Sequence, residues 1–162
     1  MDINVFVVMQ QLSTYRAVQL LAEKTPDIEL IGYANNEQEA ISQIVKLSPD
    51  VVVLASALPE PDGIETVQEI LRRCPSSRIV ILARGATNAH LLKALQAGAK
   101  GYLQIESMEA ELVQAILSAF AGHRYINRKL WGELIDDYVL QCESNSQNPP
   151  AYPGLREDVS FR

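Results

Sequence analysis

Three runs in the chain, INVFVV at 3–8, VVVL at 51–54 and RIVILA at 78–83, are apolar at almost every position instead of at every second one. A strand with one face in water alternates apolar and polar residues, whereas a strand that is apolar throughout is covered on both faces. Such strands belong inside a parallel sheet, and consecutive parallel strands need a crossover long enough to hold a helix. The sequence between the runs supplies that length.

Helical spacing fills the gaps. Tyr15, Val18, Leu20 and Leu21 recur on one side up to Lys24, where Thr25-Pro26 ends the pattern. Ile28 to Ala34 reads as a second strand. Asn36 followed by Glu39 has capping-box spacing, and Ala40, Ile41, Ile44, Val45 and Leu47 form the apolar stripe of the helix it starts. A third helix carries Ile64, Val67, Ile70 and Leu71, and a fourth carries Leu91, Leu92 and Leu95 before a Gly98 cap. Gly101 to Gln104 is a short fifth strand, and Glu109 to Ala121 a fifth helix. Strand and helix five times over predicts a doubly wound, flavodoxin-like α/β domain: a five-stranded parallel sheet of order 2-1-3-4-5 with one extra C-terminal helix.

Composition narrows the class. With 48% hydrophobic and 21% charged residues the chain has the balance of a folded globular protein. The apolar run behind Asp2 is too short for a membrane span and lacks the basic flank of a signal segment, so a cytoplasmic location without membrane contact is expected. Twenty acidic residues outnumber fourteen basic ones, giving a net charge of −6 without a basic stripe, which argues against direct nucleic-acid binding by these residues. Cys74 and Cys142 are far apart and have neither C-x-x-C spacing nor companion histidines, so no disulfide framework, metal site or cofactor is indicated.

In open parallel sheets the working site lies beyond the C-terminal ends of the strands, near the point where strand order reverses. The residues there are Met9 to Gln11, Ala55 to Asp62, Ala83 to Ala86 and Gln104 to Ser107. Phosphoryl chemistry at such a rim needs carboxylates for a divalent cation, a nucleophile, a hydroxyl and a basic group. Almost none of these is present.

The segments DVVVLASALPEPDGIETV, SSRIVILA and ALQAGAKGYLQIESMEAELVQAILSAFAGHRYI resemble a response-regulator receiver domain, in the branch whose receivers precede a helix-turn-helix domain of the NarL/LuxR type. The likeness runs roughly from position 3 to 127. The resemblance implies a strand-one acidic pair at Met9 and Gln10, a phosphoaccepting aspartate at Ala55, a hydroxyl at Ala83 and a lysine at Ile105. Each is replaced by a group that cannot perform the corresponding step: a thioether and an amide offer Mg²⁺ little, and an alanine methyl neither attacks phosphorus nor ligates metal. Tyr102 matches the family's switch aromatic and Asp62-Gly63 its loop. The reading is therefore a phosphorylation-independent pseudo-receiver and not an enzyme. Ser56, beside the lost aspartate, and Asp62 read as structural loop residues, and His90 and His123 as isolated surface or linker residues.

The resemblance also implies that output passes through protein contacts, with Tyr102, Lys93, Gln96 and Lys100 on or near the face formed by helix four and strand five. Beyond the receiver-like region (1–127), Leu130, Trp131, Leu134, Ile135, Tyr138 and Val139 put one broad apolar side on a helix over 128–143, which either packs on its own domain or pairs in a homodimer. Residues 144–162 read as flexible linker and tail. DNA would be reached only through an effector domain not present in this chain. The expected function is signal transduction or transcription regulation through protein contacts. The alternatives are a ligand-sensing domain that uses the vacated acidic pocket, or the N-terminal part of a helix-turn-helix regulator.

Overall fold

In the computed structural model, which describes residues 2–57, 63–144 and 159–160, β1 (Ile3–Val8) lies between β2 (Ile28–Ala34) and β3 (Val51–Ala57). Outward from β3 follow β4 (Arg78–Arg84) and β5 (Gly101–Gln104), all parallel. The crossovers are α1 (Leu12–Glu23), α2 (Glu37–Leu47), α3 (Ile64–Arg73), α4 (Asn88–Ala97) and α5 (Met108–Phe120).

Alternate residues of each central strand enter different halves of the core. Phe6, Val8, Val52, Leu54, Ile81 and Ala83 pack under α2, α3 and α4, while Val5, Val7, Met9, Val53, Val80 and Leu82 pack under α1 and α5. This two-sided burial is why β1, β3 and β4 show no polar alternation. Nonpolar surface covered on both faces, at about 25 cal/mol per Å², is the main favourable contribution to folding such a sheet.

The helix boundaries follow the local chemistry. The Asn36 carboxamide oxygen accepts from the Glu39 backbone N–H at 2.8 Å, satisfying one of the open donors at the start of α2. Thr87 does the same for α4, accepting from the His90 N–H at 3.1 Å. At the end of α4, Gly98 has φ of 110°, and a Cβ there would come within 2.6 Å of Leu71 Cδ1. Both backbone angle and space therefore require glycine. Arg72 and Arg73 both reach Glu69 on α3, at 2.6 and 2.8 Å. Arg72 first and Arg73 second hold the Glu69 carboxyl below its usual range.

The sheet corrects the expected five-strand order. After α5, β6 (Arg124–Ile126) pairs in parallel with β5, and β7 (Val159–Ser160) pairs with β6, giving the order β2-β1-β3-β4-β5-β6-β7. Three and two residues are too short for a periodic pattern to emerge, and β6 opens on a charged residue, so neither strand stands out in the sequence. Strand β5 is consequently not an edge. Part of the stretch read as linker and tail thus adds to the sheet, and its first residue, Ser144, ends the last helix; the remainder falls outside the described residues.

The extra helix, α6 (Arg128–Ser144), follows β6 directly. Leu130 and Leu134 are fully buried in the same core half as Leu91, Leu95 and Tyr102, and Trp131 packs on that core partly buried. Ile135, Val139 and Leu140 remain exposed. The first half of the stripe therefore packs on its own domain. Tyr125 secures the approach to α6: its hydroxyl donates to Glu111 Oε1 at 2.8 Å, and burial together with Glu111 pushes the phenol up to about 12. Among the described residues no helix is long and apolar enough to cross a membrane.

Because Leu134 joins α6 to the core, Leu134→Ala is expected to lower stability by about 2–5 kcal/mol in urea unfolding. Leu140→Ala, on the exposed side, should leave the midpoint nearly unchanged.

Candidate functional site at the C-terminal edge of the sheet

The carboxyl ends of β1 and β3, where strand order reverses, open into a cleft of about 160 Å³. Met9 follows β1 directly; its N–H donates to the Ala34 carbonyl at 3.1 Å, and its side chain is buried towards α1 and α5. Ala55, in the same core half, is partly exposed and pairs with Leu82 across the ladder. Ile105 opens a short 3-10 turn after β5. Met9, Gln10, Ala55 and Ile105 all line the cleft, so the fold brings together four of the five positions singled out from sequence.

Ala83 is the exception. It is fully buried and sits in the other core half with Val8 and Tyr102, one residue out of phase with Leu82 and Arg84, which do line the cleft. Period-two alternation along β4 explains the difference. Asp62 lies outside the described residues, as does the Ser56 hydroxyl; Gly63 caps α3 with a φ of 76°.

Gln11 and Arg84 fall within the rim segments read from sequence, which gave neither a role: Arg84 Nη2 donates to Gln11 Oε1 at 2.7 Å, linking the end of β4 to the start of α1. Sequence reasoning passed over the loop after the second strand. Asn35, Asn36 and Glu37 line the cleft from the loop after β2. The rule that sites gather at strand C-termini would have found them had the end of the second strand been included. Among the described residues the rim is therefore made of amides and hydroxyls with one guanidinium and one carboxylate, and the apolar part of the lining is Val8, Met9, Leu54, Ala55, Leu82 and Ile105.

This donor set does not fit Mg²⁺, which takes near-octahedral oxygen ligands including carboxylates. Among the described residues Glu37 supplies the one carboxylate on the lining, and no group of three His, Cys, Asp or Glu side chains is placed to hold a metal.

Tyr102 does not reach an outer surface. It is fully buried, and its hydroxyl lies 2.6 Å from His90 Nδ1. His90, expected at the surface, is itself buried in the first turn of α4: it precedes Leu91 and stands four residues before Ala94, on the helix face that packs inward. Burial raises the Tyr102 phenol well above its usual value. Lys93 and Gln96 are exposed on α4, whereas Lys100 is half-buried where its carbonyl accepts from the Tyr125 N–H. On α6, Leu130 and Leu134 are covered by the domain, Trp131 and Tyr138 are half-buried, and Ile135 faces outward.

Comparison with known proteins places this geometry. The family model for the response regulator receiver domain matches residues 5–117. The chain is 33% identical over 113 residues to the transcriptional regulatory protein LiaR of Bacillus subtilis, covering 70% of this chain and 54% of LiaR. It is 30% identical to the DNA-binding transcriptional activator DevR/DosR of Mycobacterium tuberculosis, covering 91% of this chain and 67% of the relative. A crystal structure of a LuxR-family two-component response regulator from Aurantimonas superposes with a TM-score of 0.80 at 31% identity, covering 86% of this chain and 99% of that one. The chain belongs to the response regulator receiver family, in its NarL/LuxR-type branch. It spans about half to two thirds of the length of these curated relatives.

Tyr102→Phe should cost about 1–3 kcal/mol at neutral pH, because it deletes a buried hydrogen bond. The pH dependence follows from the raised phenol. Its contribution is fully present below the unfolded value near 10 and is lost as pH rises towards and through the higher folded value. Urea titrations above pH 10 should show wild type losing up to about 1.4 kcal/mol per pH unit more than Tyr102→Phe.

Proposed function

We propose that this chain is a receiver that works without phosphorylation, passing a signal by protein contact within a transcriptional or signalling response. The observation that carries this is the cleft itself. It stands where parallel sheets bind and react, yet Met9, Gln10, Ala55 and Ile105 present a thioether, an amide, a methyl and an alkyl chain. None can ligate Mg²⁺ strongly, accept a phosphoryl group or neutralise one. Ala83, at the end of β4, likewise has no hydroxyl to offer.

The role in transcription is supported by relatives described as transcriptional regulators and activators. Contact with DNA then falls to an effector domain outside these residues, consistent with the net charge of −6. Output passes through surfaces that remain available: Lys93 and Gln96 on α4, and the outer side of α6 at Ile135 and Val139, where a second copy could dock as a homodimer.

Incubating the chain with acetyl phosphate and Mg²⁺ and measuring intact mass at short times should give unmodified protein only. An acid-stable, base-labile phosphoryl adduct would overturn the proposal.

A further inference from the structure

Resting on the reading of a receiver without phosphoryl chemistry, we infer that the cleft between β1 and β3 is a binding site for a small carboxylate with a short apolar body. Its position is the one at which doubly wound sheets hold ligands. At about 160 Å³ it is smaller than the roughly 300–1,000 Å³ of pockets for drug-sized molecules, so its occupant is metabolite-sized.

The lining divides into two chemical regions. Met9, Ala55, Leu82 and Ile105 form an apolar floor, from which an alkyl group displaces water. At the rim, Gln11 Oε1 holds Arg84 Nη2 at 2.7 Å, so one of the guanidinium's five N–H groups fixes it at the cleft and the others remain as donors for a carboxylate. The Gln10 and Asn35 carboxamides also line the cleft.

The lining's acidic side chain, Glu37, does not favour a cation equally. It sits in the first turn of α2, where the positive end of the helix already stabilises its charge. Arg84 ends a strand and has no such compensation. A carboxylate is therefore the better complement to the cleft than an ammonium group. The same substitutions that remove phosphate chemistry create the floor: acidic groups in place of Met9 and Ala55 would repel the anion and wet the alkyl region.

Three probes with one isobutyl body and different charge test this by ¹⁵N-resolved NMR titration of the 162-residue chain: isovalerate, isovaleramide and isoamylamine. Isovalerate should give saturable shifts at the amides of Gln10, Ala55 and Arg84, and isovaleramide should bind about tenfold more weakly, with isoamylamine weaker still. Arg84 is exposed, so Arg84→Gln should leave the melting temperature unchanged and weaken isovalerate about tenfold. No saturable shift at these amides, equal binding of the three probes, or undiminished binding by Arg84→Gln would each overturn the inference. The same preparation treated with acetyl phosphate and Mg²⁺ separates the two levels. A phosphoryl adduct defeats the reading beneath, whereas an unlabelled chain that ignores isovalerate defeats the ligand alone.

Discussion

The central strands β1, β3 and β4 are packed from both sides, and this two-sided burial sets the rest of the molecule. Helices must cover each face, which forces the long right-handed crossovers and lines up every strand's carboxyl end at one edge of the sheet. A strand covered on both faces also has a rigid end. Met9 and Ala55 are held at the cleft by packing against the α1 and α5 half of the core.

The path from that edge to the surface also differs from a simple exposed switch. Tyr102 is tied to His90 on α4 in the half of the core that receives Leu130 and Leu134 from α6. Ala83 lies in this half too, behind the cleft and not in it. The buried ring, α4 and the start of α6 thus form one packed unit. The strand β6 beside β5 adds a further constraint, because it occupies the edge where another chain might otherwise pair.

Much of this was legible in the sequence because its signals were long or chemically distinct. Unbroken apolar runs marked β1, β3 and β4, the Asn36 and Gly98 caps fixed the ends of α2 and α4, and the alternation of strand and helix gave the topology of the first five strands. What escaped lacked periodicity or depended on tertiary approach. β6 is three residues long and begins with a charge; β7 is two residues long. His90 looked like a lone polar residue because its partner Tyr102 is twelve positions away. Arg84 and Gln11 meet across 73 positions, a contact no local pattern encodes. At the candidate site the sequence placed Met9, Gln10 and Ala55 at the cleft, but not Asn35, Asn36 and Glu37, which reach it from the loop after β2.

If side chains at five positions alone separate this receiver from a phosphorylatable one, restoring them should restore the reaction. The decisive measurement is Mg²⁺-dependent phosphoryl uptake from acetyl phosphate by a variant carrying Met9→Asp, Gln10→Asp, Ala55→Asp, Ala83→Thr and Ile105→Lys, with retained folding verified by circular dichroism. The expected result is labelling of the variant and none of the wild type under identical conditions. Labelling of the wild type, or a folded variant that takes up no phosphoryl group, would contradict the assignment of lost chemistry to these positions.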